Sequence, residues 1–291
     1  MNAKLMLKAP AKINIGLKVA GRRADGYHEL DSVMQQISLC DTLVIRRQEE
    51  GDSFRCTEPS LEGEDNLVKR AADLLRRKVG DNLPGVRLEL YKNIPMGAGL
   101  GGGSSDAAAA LAGLNRFWGL NLPPDELLEL GAQLGSDVPF CLMGGTARVR
   151  GRGEFLEPLP ALPFLWVVLA LPSGLSLSTA DVFRSWDPCA DVVSVSASEI
   201  AEAARRQDPA GVMELMRRGR LNSLEKPVLA HYPQAAQVKN WMRELGLFPA
   251  MSGSGPTFFA FTEDYRLARE AALSLQERGC RAFLSWTYNK P

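Results

Sequence analysis

One segment constrains this chain more than any other: Pro95-Met96-Gly97-Ala98-Gly99-Leu100-Gly101-Gly102-Gly103-Ser104-Ser105-Asp106, with five glycines inside seven residues. Before it, Val86 to Tyr91 alternates as a strand; after it, Ser104 to Trp118 is rich in alanine and leucine and predicts a helix. A glycine-rich turn running into a helix N-terminus brings backbone N–H groups and a partial positive charge to one spot, and that combination suits phosphate. Gly97, Gly99 and Gly102 satisfy G-x-G-x-x-G, a pattern shared by unrelated nucleotide folds. A dinucleotide site would need an acidic residue ending a second strand about twenty residues on, where this chain instead starts a helix at Asp125 and Glu126. A Walker A loop would need a lysine before the serine, and none is present. Ser104 and Ser105 supply hydroxyls for phosphate oxygens or Mg²⁺, with helix capping as the competing role for both and for Asp106.

Balanced charge narrows the partners. Lys plus Arg equals Asp plus Glu at 34 each, so no global field draws nucleic acid. The five cysteines are scattered and never spaced C-x-x-C, and two histidines cannot build an imidazole-rich metal centre, so any metal takes oxygen ligands and a reducing cytoplasm fits best. Met1 to Ala11 lacks an apolar signal core, and the longest apolar run, Phe164 to Leu171, is too short to span a bilayer and predicts a buried strand.

At 291 residues two domains are expected, and the mixed periodicities predict an α+β chain. Leu5 to Val19 and Ser32 to Ile45 predict strands joined through Gly21 to Gly26. Helices are predicted over Asn66 to Val79 behind a capping Asp65, and over Asp125 to Leu134 behind Pro123-Pro124. The Gly, Arg and Pro composition from Gly144 to Pro163 predicts a crossing between domains 1–157 and 158–291. The second half predicts helices at Ala197 to Arg206, Ala210 to Arg218 and Gln234 to Leu245, and strands at Thr257 to Phe261 and Arg281 to Trp286.

Taken with two further segments, the glycine loop resembles the phosphate-binding motif of the GHMP kinases. Ala9-Pro10-Ala11-Lys12-Ile13-Asn14 is similar to the family's first motif, and Met251-Ser252-Gly253-Ser254-Gly255-Pro256-Thr257 to its C-terminal glycine turn. Asp25-Gly26-Tyr27-His28-Glu29-Leu30 and Gly135-Ser136-Asp137-Val138-Pro139-Phe140 resemble the branch of that family that phosphorylates the 2-hydroxyl of a cytidine diphosphate-linked polyol in the non-mevalonate route to isoprenoids. The resemblance implies a two-domain GHMP kinase fold with a left-handed βαβ crossover in its first half and the active site in the cleft between domains. ATP would lie on Pro95, Met96, Gly97, Ala98, Gly99, Leu100, Gly101, Gly102, Gly103, Ser104 and Ser105. Asp137 would accept the substrate hydroxyl's proton, and Lys12 would hold Asp137 and the developing alkoxide.

Tyr27 and Phe183 would stack on the cytosine with His28 at its edge, and Asn14, Thr179, Gly253, Ser254 and Gly255 would contact substrate. Mg²⁺ is implied with ATP, but the glutamate that some members use as a second ligand has no assignable counterpart here, so the metal ligands stay open. The chemistry of the residues agrees: phosphoryl transfer needs positioning, neutralisation of phosphate oxygens and a carboxylate at the nucleophilic hydroxyl. Two alternatives stay open, another GHMP kinase acting on homoserine, mevalonate or a sugar, and a nucleotide-binding regulator without turnover.

Overall fold

The computed structural model describes residues 4–49, 51–80, 83–190 and 193–289. Two long strands open the chain, β1 (Lys4–Arg22) and β2 (His28–Gln48), paired with each other. Their loose apolar alternation puts Ile13, Ile15, Val33, Ile37, Leu43 and Ile45 in the core. Each strand contributes to both of the compact units into which the chain packs. One unit comprises Met1–Ala11, Cys40–Pro95 and Gly101–Met143; the other comprises Lys12–Leu39, Met96–Leu100 and Gly144–Pro291. A single cut at 157/158 therefore does not describe the packing, because strands of 19 and 21 residues are long enough to serve two cores.

In the first unit, β3 (Ser53–Cys56) runs through α1 (Leu67–Val79) to the parallel strand β4 (Gly85–Tyr91), which pairs antiparallel with Thr42–Gln48 of β2. Helices α2 (Gly102–Phe117), α3 (Pro124–Leu134) and α4 (Val138–Met143) complete it. The α1 sequence buries Val68, Ala71, Ala72 and Leu75, the i, i+3, i+4, i+7 stripe of an amphipathic helix, and places Arg76, Arg77 and Lys78 at its negative end. Its cap is Asn66 rather than Asp65: the Asn66 side chain accepts from Val68 N at 2.8 Å. The strand, turn and helix expected on either side of the glycine loop are present, but α2 begins at Gly102, two residues earlier than expected. Ser104, Ser105 and Asp106 thus lie inside the helix and cap nothing.

In the second unit, the segment expected to cross between domains is a hairpin, β5 (Thr146–Gly151) with β6 (Phe155–Leu159), and β5 pairs with Leu30–Gln35 of β2. Its arginines point outward to Asp31 and Glu157, while Ala147 and Val149 are buried, so the charged composition marks a solvated strand face. Next come β7 (Trp166–Pro172), α5 (Thr179–Arg184), α6 (Ala197–Arg205), α7 (Pro209–Arg217), α8 (Glu225–His231), α9 (Pro233–Glu244), β8 (Ala250–Met251), β9 (Phe258–Thr262), α10 (Tyr265–Glu277) and β10 (Cys280–Trp286). Their sheet is antiparallel in the order β10-β7-β9-β8. Among the described residues no helix is long and apolar enough to cross a membrane.

The cap assignment is testable by urea denaturation. Asn66→Ala is expected to cost about 0.5–2 kcal/mol, while Asp65→Ala stays within about 0.5 kcal/mol of the wild type.

Candidate active site

The glycine loop owes its shape to what lies against it. Gly99 has φ +73°, and a Cβ there would stand 2.2 Å from the carbonyl oxygen of Ser252 and 2.9 Å from the amide of Gly255. Gly97, at φ +58°, faces the Ser176 side chain, and its backbone conformation favours glycine. The Gly99 position excludes any side chain, and two glycine turns distant in sequence meet backbone to backbone there. At the end of the loop, Gly101 precedes α2 with no side chain to cap it, leaving the first amides of the helix to water or an anion. Ser105 is committed elsewhere, its hydroxyl donating to the Pro10 carbonyl at 2.7 Å. Ser104 is half-buried on the first turn.

Lys12 lies on β1 in the buried run Ala11 to Ile15, only 4% exposed. Its ammonium donates to Asn14 Oδ1 at 2.7 Å and lies 3.3 Å from where a Gly253 Cβ would stand. Asn14 in turn donates from Nδ2 to Ser32 Oγ at 2.8 Å. Ser252, fully buried, joins these parts: its hydroxyl accepts from Asn14 N at 3.2 Å and donates to the Gly99 carbonyl at 2.9 Å. Behind the turn, Asn222 donates to the carbonyls of Met251 and Gly253, both at 2.8 Å. Glu225 accepts from Met251 N and is ion-paired with buried Lys239. One hydrogen-bonded network thus holds Lys12, Asn14, Gly99 and Gly253.

Ser254 continues the turn to Thr179, their hydroxyl oxygens 3.1 Å apart. Phe183 stands four residues after Thr179, on the same face of α5. Its ring lies 4.9 Å from that of His28 at 31°, and Trp186 meets His28 edge-on at 5.7 Å. Burial, and the nearby charge of Arg22, hold the His28 imidazole below its ordinary pKa, so the ring is neutral at physiological pH and both donates and accepts. Tyr27 is 53% exposed, with the Arg152 guanidinium 5.3 Å above its ring.

Asp137 belongs to the first unit, immediately ahead of α4, where its carbonyl accepts from Cys141 N at 3.0 Å. A Cβ on Gly135 would stand 3.8 Å from Ser104 Oγ, so the turn that carries Asp137 lies beside the first turn of α2. Half-buried Asp137 and Ser104 are oxygen donors of the kind Mg²⁺ accepts alongside phosphate oxygens. Among the described residues no group of three or more His, Cys, Asp or Glu side chains clusters into a metal cage.

Sequence reasoning did not single out Ser252, Asn222 or Trp186. Ser252 sits inside a recognisable motif, but its contacts are set by chain segments more than 150 residues away. Asn222 carries no local signal at all.

A glycine loop running into an uncapped helix N-terminus and closed by a second glycine turn, with a buried lysine in the same network, suits a small-molecule phosphotransferase. Residues 66–145 match the GHMP kinases N terminal domain and residues 200–279 the GHMP kinases C terminal region, on either side of residue 157, and the chain belongs to this family. It is 45% identical over 278 residues, covering 94% of this chain and 95% of the relative, to a protein of Moorella thermoacetica named 4-diphosphocytidyl-2-C-methyl-D-erythritol kinase. A protein of the same name from Pelotomaculum thermopropionicum is 43% identical, with 97% of each chain covered. A crystal structure of 4-(cytidine 5'-diphospho)-2C-methyl-D-erythritol kinase superposes with a TM-score of 0.83 at 38% identity, covering 98% of this chain and all of the other. A homoserine kinase from Cytophaga hutchinsonii, at 16% identity and TM-score 0.73 with 98% and 95% coverage, shares the fold.

Substitution at the loop contact tests the packing. Gly99→Ala is expected to destabilise by about 1–3 kcal/mol in urea denaturation, since the backbone must leave φ +73° and the turn must retreat.

Proposed function

We propose that this protein transfers the γ-phosphoryl group of ATP to the 2-hydroxyl of 4-diphosphocytidyl-2-C-methyl-D-erythritol, in the non-mevalonate route to isoprenoid precursors, and does so in the cytoplasm. The observation that carries this reading is whole-length similarity, 45% identity over 94% of the chain, to proteins bearing that name. The site chemistry supports it. Backbone amides of Gly97 to Gly103 and the uncapped α2 N-terminus bind the phosphates, where the helix dipole favours an anion. Lys12, held by Asn14, neutralises charge on the transferring phosphoryl oxygens. Asp137 orients the substrate hydroxyl and takes its proton as the new P–O bond forms and the bond to ADP breaks. Ser104 and Asp137 would hold a Mg²⁺ ion brought with the nucleotide, which would supply neutralisation of phosphate charge.

Tyr27 and Phe183 supply aromatic faces for the cytosine, and neutral His28 supplies an edge that donates and accepts. Thr179, Ser254, the amide of Gly253 and the backbone of Gly255 line the same network and contact the polyol diphosphate. Scattered free cysteines fit the reducing compartment.

The deciding assay is ADP release with ATP and Mg²⁺, comparing the cytidyl substrate with homoserine, mevalonate and galactose. Selective turnover of the cytidyl compound is expected; preference for another acceptor overturns the substrate. Asp137→Ala is expected to lower kcat by about 10²–10⁴-fold, while affinity for metal-free ATP, read by calorimetry, changes by less than about threefold. A double variant Tyr27→Ala with His28→Ala should raise KM for the cytidyl substrate by about 10-fold or more and leave KM for ATP unchanged.

A further inference from the structure

The turn between β1 and β2 that presents Tyr27 and His28 has no core of its own. Ala24 to Tyr27 are exposed, so hydrogen bonds rather than burial set their conformation. Arg23 N donates to the Tyr27 carbonyl at 2.8 Å, Gly26 N to the Arg23 carbonyl at 3.1 Å, and Tyr27 N to Asp25 Oδ1 at 3.1 Å. The side chain that gathers these parts is Arg23, half-buried and unused by the transfer chemistry. Its guanidinium donates from Nε to Asp25 Oδ2 at 3.2 Å and from Nη1 to Glu29 Oε2 at 2.7 Å, and Nη1 lies 3.8 Å from Glu154 Oε1.

The three carboxylates come from different places. Asp25 is at the tip of the turn, Glu29 directly follows His28 on β2, and Glu154 lies in the turn between β5 and β6, all within the second unit. Glu154 folds back on its own hairpin, its Oε2 accepting from Arg152 N at 2.6 Å, and the Arg152 guanidinium stands over the Tyr27 ring. The contacts therefore close on themselves, from Arg23 through Glu154, Arg152, Tyr27 and Asp25 back to Arg23. An isolated exposed ion pair contributes little, but several charges joined in a network contribute more. Without the guanidinium, Asp25, Glu29 and Glu154 would be left as like charges around one spot, with little burial at the tip to oppose their separation.

We propose that Arg23 is a positioning residue for nucleobase recognition: it fixes Tyr27 and His28 relative to Phe183, and through Glu154 it makes the β5–β6 turn part of the specificity element. The proposal rests on the cytidyl-substrate reading given above. A stack and an edge contact read a base only when the ring plane and the polar edge are set together, so the turn that carries both side chains must be held before the base arrives. Glu29 fixes the residue next to His28, whose ring is centred 4.9 Å from that of Phe183, and Asp25 fixes the amide of Tyr27. Arg23 holds both carboxylates at once.

The test is steady-state kinetics of the whole protein with the cytidyl substrate and with its uridyl analogue. Arg23→Ala is expected to raise KM for the cytidyl substrate by about fivefold or more and to narrow the preference over the uridyl analogue, while KM for ATP changes by less than about twofold. Because Arg23 acts through Tyr27 and His28, adding Arg23→Ala to the Tyr27→Ala, His28→Ala double variant should raise KM by less than about twofold further. An unchanged KM in the single variant, an equal rise in KM for ATP, or a full additional rise in the triple variant overturns the proposal and leaves the cytidyl reading standing. Wild-type turnover of another acceptor with none of the cytidyl compound overturns that reading, and the proposal with it.

Discussion

The contact on which the rest of the site depends is the apposition of two glycine turns, Gly97–Leu100 and Ser252–Gly255, with no room for a Cβ between Gly99 and the Ser252 carbonyl. Backbone against backbone leaves little freedom to slide, and the Ser252 hydroxyl removes what remains by bridging Gly99 to the Asn14 amide. Lys12 inherits its position from that bridge through Asn14. Such rigidity suits the phosphate-binding role proposed for the loop, because positioning is most of what phosphoryl transfer asks of a protein.

Burial of charge follows the same logic. Lys12 is paired with a neutral amide oxygen, Lys239 with Glu225 behind the glycine turn, and Lys92 with two carboxylates beneath the loop. Each ammonium is costly to desolvate, so each is held where its hydrogen bonds are met, and each sits beside or behind a glycine segment. In the Asp41–Lys92–Asp106 group, Asp106 Oδ1 has no hydrogen-bond partner among the described residues.

The two long strands explain how one chain builds these parts. β1 carries residues of one unit up to Ala11 and of the other from Lys12 onward, and β2 changes over between Leu39 and Cys40. Packing divides where side chains find a common core, not where sequence composition shifts. The hairpin β5–β6 illustrates the difference: arginine, glycine and proline look like a linker in sequence, yet alternate strand residues are buried and the charged ones are paired.

Local periodicity in the sequence determined most elements. The α1 stripe, the strand before the glycine loop and the helix after it follow from side-chain spacing, and α10, with Ala268, Ala271, Ala272 and Leu275 behind the Asp264 cap, was legible by the same rule although not singled out. The glycine loop and the C-terminal glycine turn were likewise legible in the sequence, since glycine runs need a reason, whereas Lys12 stood out only through the family resemblance. Tertiary structure alone decided that Asn66 caps α1, that Asp106 pairs with Lys92 instead of capping α2, and that Ser252 and Asn222 hold the turn. Hydrogen bonds between segments far apart in the chain leave no periodic trace, because the partner of each group is chosen by the fold and not by its neighbours in sequence.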